Sequence, residues 1–210
     1  MGGEVRNISV LVAIVVNNDG FREIIGVAEG SKEDKESWSG FLRYLKSRGL
    51  ENIDLIISDK SFGLLEVIPD FYPKAKWQRC MVHFYRNVFF VVPHGKVKEV
   101  ATMLKAIHAQ ENIEETRRKR DMVVQKLIQM KLGKAAEAVR NVGDETFLYY
   151  SFPVEHWKRI RTNNGLERIM KEIRRRTRVV GAFPDGNSAL MFVAARLRHV
   201  KVSPFVNTRF

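Results

Sequence analysis

Two acids, a cysteine–histidine pair and a run of cations are the residues here whose types and positions could do chemistry. Asp59 follows Ile53-Asp-Leu-Ile-Ile57, a short run patterned as a buried strand. A carboxylate just past the C-terminal end of such a strand stands where α/β sheets place ligands. Its hard oxygens suit Mg²⁺, which takes one or two carboxylates and keeps several waters. The ordinary alternative is an Asp in a turn or at a helix N-cap. Glu167 lies in a helical pattern from Asn163 to Arg176, where Leu166, Ile169, Met170 and Ile173 form the apolar side. At about 100° per residue, Glu167, Lys171, Arg174 and Arg178 follow one edge of that stripe. The alternative for Glu167 is an i,i+4 pair with Lys171 on a solvated face.

The surroundings of Glu167 are strongly basic. Between Val154 and Arg178 there are nine cations, Lys158, Arg159, Arg161, Arg168, Lys171, Arg174, Arg175, Arg176 and Arg178, against three Glu. Arg dominates, and its fork matches phosphate oxygens. Trp157 and Asn163/Asn164 lie within the cluster and could stack on a base or hydrogen-bond to it. These residues are expected to form a nucleic-acid groove. Cys80-Met-Val-His83 puts two soft ligands one helical turn apart. A structural zinc site needs four ligands and no second pair has suitable spacing, so packing or hydrogen bonding is the expected role. The remaining histidines, 94, 108, 156 and 199, are scattered.

The elements that must position these groups begin with a β-hairpin, Ile8 to Val16 and Phe21 to Ala28 around an Asn17-Asn-Asp-Gly20 turn. A helix is expected from Ser31, with Asp34 completing an approximate capping box, Trp38, Phe41, Leu42 and Leu45 as its apolar stripe, and Gly49 as its C-terminal stop. The strand before Asp59, a helix from Phe62, a strand near Ala75 to Gln78 and a helix from Cys80 continue an alternating α/β pattern. Lys96 to Asn141 carries only helical periodicity and reads as a helical insertion. Helices from about Asn163 and from Asn187 to His199 close the pattern.

Composition narrows the partners. The 210 residues carry 36 Lys and Arg against 24 Asp and Glu, a net +12, with a pI near 10.0. That excess favours a polyanion, because each cation set on a phosphate releases condensed counterions. One cysteine excludes an internal disulfide and any Cys-rich zinc module. No apolar run approaches the roughly 20 residues of a membrane span, and Met1-Gly-Gly-Glu has no signal-peptide character, so a cytoplasmic protein with no membrane partner is expected.

Taken together, several long stretches resemble the bacterial Mutator-type insertion-sequence transposases: Leu11 to Gly26, Ile57-Ser-Asp59, Trp77 to Asn87, Phe152-Pro153 with Glu155-His-Trp157, and Arg161 to Pro184. The resemblance runs from Gly3 to about Val200. It implies an α/β, ribonuclease-H-like mixed sheet flanked by helices, with an all-helical insertion. The implied organisation is a first part of the catalytic core over 1–92, the insertion over 93–150, the rest of the core with its basic helix over 151–200, and a divergent tail over 201–210. It also implies a catalytic Asp, Asp and Glu that bind Mg²⁺ or Mn²⁺ and cut and join DNA. Asp59 matches the second Asp, Glu167 the Glu, and Cys80 and His83 a Cys-x-x-His motif.

The departures from the family pattern shape the expectation. No acid among Glu4, Asp19 and Glu23 matches the first Asp, Lys60 sets a cation beside Asp59, and Gly165 stands where Pro is frequent. An N-terminally truncated copy is therefore expected, with weakly held metal and little transposition activity by itself. Its implied partners are DNA, as terminal inverted repeats and target, and further copies or an intact transposase, in a bacterial, nucleoid-associated setting. The alternative is a non-catalytic DNA-binding remnant that competes or co-assembles with intact transposase. A self-contained nuclease would need a third acid.

Overall fold

The computed structural model describes residues 9–17, 19–30 and 34–201, and the β-branched run at their start forms strand β1 (Ser9–Val16). It pairs antiparallel with β2 (Arg22–Gly30), Ser9 opposite Gly30 and Val16 opposite Arg22, with a register shift between Ala13 and Ile14. The connecting turn is closed by Asn17, whose side-chain oxygen accepts from the N–H groups of Asp19 (3.1 Å) and Phe21 (2.9 Å). Gly20 supplies the positive φ of +83° that the turn requires. Asn18, part of the turn signal, lies outside the described residues.

Helix α1 (Lys35–Ser47) is capped by Asp34, whose side chain accepts from Ser37 N–H at 2.9 Å. The start expected at Ser31 falls outside the described residues, so Asp34 is the cap rather than the third residue of a capping box. The expected stripe buries Phe41, Leu42 and Leu45. Gly49, at φ +86°, closes the helix as expected: its N–H donates to Lys46 and that of Leu50 to Leu45, the paired bonds of a Schellman ending. Helix α2 (Phe62–Phe71) follows, and strands β3 (Leu55–Ser58) and β4 (Lys76–Arg79) pair in parallel on either side of it in sequence.

Beyond β4 come α3 (Met81–Phe90), α4 (Val97–Ile107), α5 (Ile113–Gln129), α6 (Gly133–Val142) and α7 (Val154–Ile160), then α8 (Asn164–Val180) and α9 (Gly186–Lys201). The stretch read as purely helical is helical. Helix α8 runs four residues past its expected end at Arg176, because its stop is Gly181, at φ +82°, whose N–H donates to Thr177.

The chain divides into two compact units. One comprises residues 1–53, 61–75 and 164–210. In it α8 and α9 lay Ile169, Ile173, Val193 and Leu197 against hairpin residues including Val10, Val12 and Val27. The other comprises residues 54–60 and 76–163. There Phe84 and Val88 of α3 pack with Leu104, Val124, Leu127 and Phe147 into a larger core. Among the described residues the strands form one antiparallel and one parallel two-stranded sheet. A single mixed sheet of the ribonuclease-H-like kind is not among these pairings. No described helix is long and apolar enough to cross a membrane.

Candidate functional site

Asp59 stands at the C-terminal end of β3, where the short apolar strand stops. Its side chain is half exposed. Oδ1 accepts from the Lys60 N–H at 2.7 Å, and Oδ2 stands 2.8 Å from Nδ1 of His83. A carboxylate oxygen only accepts, so His83 Nδ1–H is the donor. The strand end is itself braced. Ser58 Oγ accepts from Trp77 Nε1–H at 2.9 Å and donates to the Asp59 carbonyl at 2.7 Å, while the Cys80 N–H donates to the Ser58 carbonyl at 2.8 Å.

These bonds account for the Cys-x-x-His spacing. Cys80 is the N-cap residue of α3 and fully buried. Its Sγ accepts from the Asn163 N–H at 3.3 Å, tying in the chain just ahead of α8. One turn further along α3, His83 reaches Asp59. The two side chains thus serve different partners within one unit.

Lys60, which the sequence sets beside Asp59, is engaged elsewhere. Its Nζ pairs with Glu145 Oε1 at 2.5 Å, and the same carboxylate takes Arg79 Nη1 on its other oxygen at 3.3 Å. Glu145 was not among the expected site residues. Two of the roughly four lone-pair positions of the Asp59 carboxylate are taken by N–H donors, so acceptor capacity for a hard cation remains. On donor chemistry Asp59 fits Mg²⁺ or Mn²⁺.

Glu167 is half-buried in the first turn of α8, where the helix dipole favours a carboxylate. It belongs to the hairpin-containing unit and Asp59 to the other.

The basic residues also divide. Lys158 and Arg159 are exposed on α7. Arg161 and Trp157, expected among the DNA-binding residues, make contacts within their own unit. Arg161 Nη1 donates to the His108 carbonyl at 2.7 Å, and the guanidinium lies 5.2 Å from the Tyr149 ring centroid. Trp157 Nε1 donates to the Phe152 carbonyl at 2.7 Å, and its ring packs edgewise on Tyr149 and Tyr150. In both cases a backbone carbonyl and an aromatic ring of the same unit take the side chain, which residue type alone does not reveal. On α8, Asn164 and Arg168 are exposed, while Lys171, Arg174, Arg175 and Arg178 line one shallow pocket. Glu172 accepts from Arg175 through both oxygens and from Arg176 Nε, all three bonds 2.9 Å. Those hydrogen bonds, Arg175's first, hold its carboxyl well below the usual range, at about 2.

A buried polar cluster escaped the sequence reading. His108 is 3% exposed. Its Nδ1 lies 3.0 Å from the Tyr85 hydroxyl and its Nε2 2.9 Å from Thr146 Oγ1. Burial pushes its pKa down to about 4. Gln78, also fully buried, donates to the carbonyls of Arg79 and Thr146 and accepts from the Tyr149 N–H.

Comparison with known proteins places these residues in a family setting. The profile described as "Transposase, Mutator family" matches residues 1–202. The chain is 37% identical over 195 residues to the transposase for insertion sequence element IS1081 of Mycobacterium tuberculosis, covering 93% of this chain and 47% of that protein. It is 33% identical over 193 residues to the ISRM5 transposase of Rhizobium meliloti (92% and 48%). With the transposase for IS256 in transposon Tn4001 of Staphylococcus aureus it shares 35% identity over 187 residues (89% and 48%). The chain thus spans about half the length of these curated relatives.

Proposed function

The chain belongs to the Mutator family of transposases, and from that premise we propose that it is a DNA strand-cleaving and strand-joining catalytic domain. In this reading Asp59 and Glu167 supply carboxylates to Mg²⁺ or Mn²⁺, and DNA is the substrate. The finer assignment of a ribonuclease-H-like core is supported by the order of elements, an antiparallel hairpin followed by a parallel strand pair reached through helices. The observation that carries the proposal is Asp59 itself: an accessible carboxylate at a strand end, aimed by His83 and the Lys60 N–H, with Lys60's own charge drawn off to Glu145.

A divalent ion held by Asp59 and Glu167 would supply Lewis acidity for attack of a water or 3′-hydroxyl on phosphorus. The chain's own residues do the rest. His83 and the Lys60 N–H each take one lone pair of the Asp59 carboxylate and leave the others for a cation. Glu145 holds the side chains of Lys60 and Arg79 on its two oxygens, so that neither competes for the Asp59 carboxylate. Lys171, Arg174 and Arg178 offer charge to phosphate oxygens.

The test is Mn²⁺ binding to the chain by electron paramagnetic resonance, together with cleavage and strand transfer on terminal-repeat DNA. Weak Mn²⁺ binding that falls at least about tenfold in Asp59→Asn and in Glu167→Gln is expected, since loss of one ligand degrades both affinity and geometry. Binding undiminished in both variants would refute the proposal. A second reading, DNA binding without catalysis, is favoured by one observation: the pocket-lining cations of α8 lie in the unit that does not contain Asp59. It expects duplex binding that survives Glu167→Gln, with no Mg²⁺-dependent cleavage at any protein concentration.

A further inference from the structure

Building on the reading that DNA is the substrate, we infer that Glu172 is an internal competitor for DNA phosphate, holding Arg175 and Arg176 of α8 in reserve. Lys171, Arg174 and Arg178 recur at i, i+3 and i+7, so they share one face and span about 10 Å of helix axis. Their side chains make no hydrogen bond or ion pair among the described residues. Arg175 lines the same pocket, yet its Nε and Nη2 both donate to Glu172, and Arg176 gives its Nε to the same carboxylate.

Carboxylate and phosphate ask for the same feature of arginine, two parallel N–H groups on one edge of the fork. A phosphate entering the pocket therefore meets three available cations and one whose bidentate edge is taken. Drawing Arg175 onto the phosphate breaks two of the three bonds centred on Glu172, and brings the phosphate towards a carboxylate that stays charged across the whole working pH range. Glu172 thus lowers both the number of cations that engage DNA and the hold of those that do. The α8 face then grips the backbone loosely and exchanges readily along it.

Counterion release makes this measurable. The slope of log affinity against log salt is close to −0.9 per phosphate neutralised. Binding of the full chain to a short duplex of arbitrary sequence is followed by fluorescence anisotropy over a KCl series with EDTA present. Glu172→Gln is expected to bind about 3- to 10-fold more tightly at fixed salt and to steepen the slope by about 1 to 2. Combining it with Arg175→Ala and Arg176→Ala should cancel the gain, while Arg174→Ala with Arg178→Ala should flatten the wild-type slope by about 2.

Affinity unchanged or weakened in Glu172→Gln, at unchanged slope, overturns the inference and makes Glu172 an orienting residue instead. A gain that survives loss of both arginines overturns it too, since it would then come from Glu172's charge alone. Duplex binding by the wild type with an insensitive Glu172→Gln sinks this inference only. No duplex binding by any form sinks the DNA reading itself.

Discussion

Lys158 and Arg161 are three residues apart, both cationic, and meet opposite surroundings. Lys158 is exposed on α7, whereas Arg161 is bonded to the carbonyl of buried His108 and stacked on Tyr149. Arg161→Ala leaves that carbonyl without its donor, so a loss of about 1–3 kcal/mol is expected in urea unfolding, with the salt slope of DNA binding unchanged. An unaltered unfolding midpoint would show that the contact contributes nothing. At this scale the sequence was legible in type and obscure in partnership. Asp59 could be picked out because an apolar strand precedes it. Glu145 could not, because the cation it neutralises, Lys60, is 85 positions away and no periodicity links them. Trp157 and Arg161 show the same limit: an aromatic beside cations looks the same in sequence whether it packs inward or stacks on a ligand.

Elements were read better than contacts, for a physical reason. The stripe of α1 repeats with the helix and its stop is a glycine at positive φ, both local properties of the chain. The longer run of α8 was missed because Thr177 to Val180 carries no breaker and the stop, Gly181, comes later. What no local pattern discloses is close approach. A Cβ on Gly63 of α2 would sit 2.6 Å from the Asp34 carbonyl carbon and 2.8 Å from the Lys35 nitrogen, both backbone atoms at the start of α1. Gly63→Ala must therefore part the two helix starts, and a loss of about 1–3 kcal/mol in thermal or urea unfolding is expected. A variant as stable as the parent would mean the helices slide apart freely. Gly40, with nothing within 4 Å of its Cβ position, is the natural control.

Across the whole molecule, excess positive charge and one buried histidine set the response to solution conditions. Net charge of +12 favours polyanions and self-repulsion alike. His108 has its pKa lowered by burial to about 4 from an ordinary 6.5. Above pH 6.5 it is neutral folded and unfolded, and its contribution to stability is complete. As pH falls from 6.5 towards 4 the unfolded chain takes up a proton that the folded chain refuses, so stability is lost progressively, by about 3 kcal/mol in all. Urea midpoints measured from pH 7 down to 4.5 should decline accordingly, and His108→Gln should remove this part of the decline. An identical profile in the variant would assign the acid sensitivity to other groups.

The burial of Cys80 has a practical consequence. It is the chain's single thiol, fully shielded, and its sulfur is held by a backbone N–H of the segment leading into α8. Any alkylating reagent must therefore wait for the start of α3, and with it the corner that aims Asp59, to come apart. The rate of labelling under native conditions is a built-in readout of how often that corner opens, with no engineered probe and no background from a second cysteine.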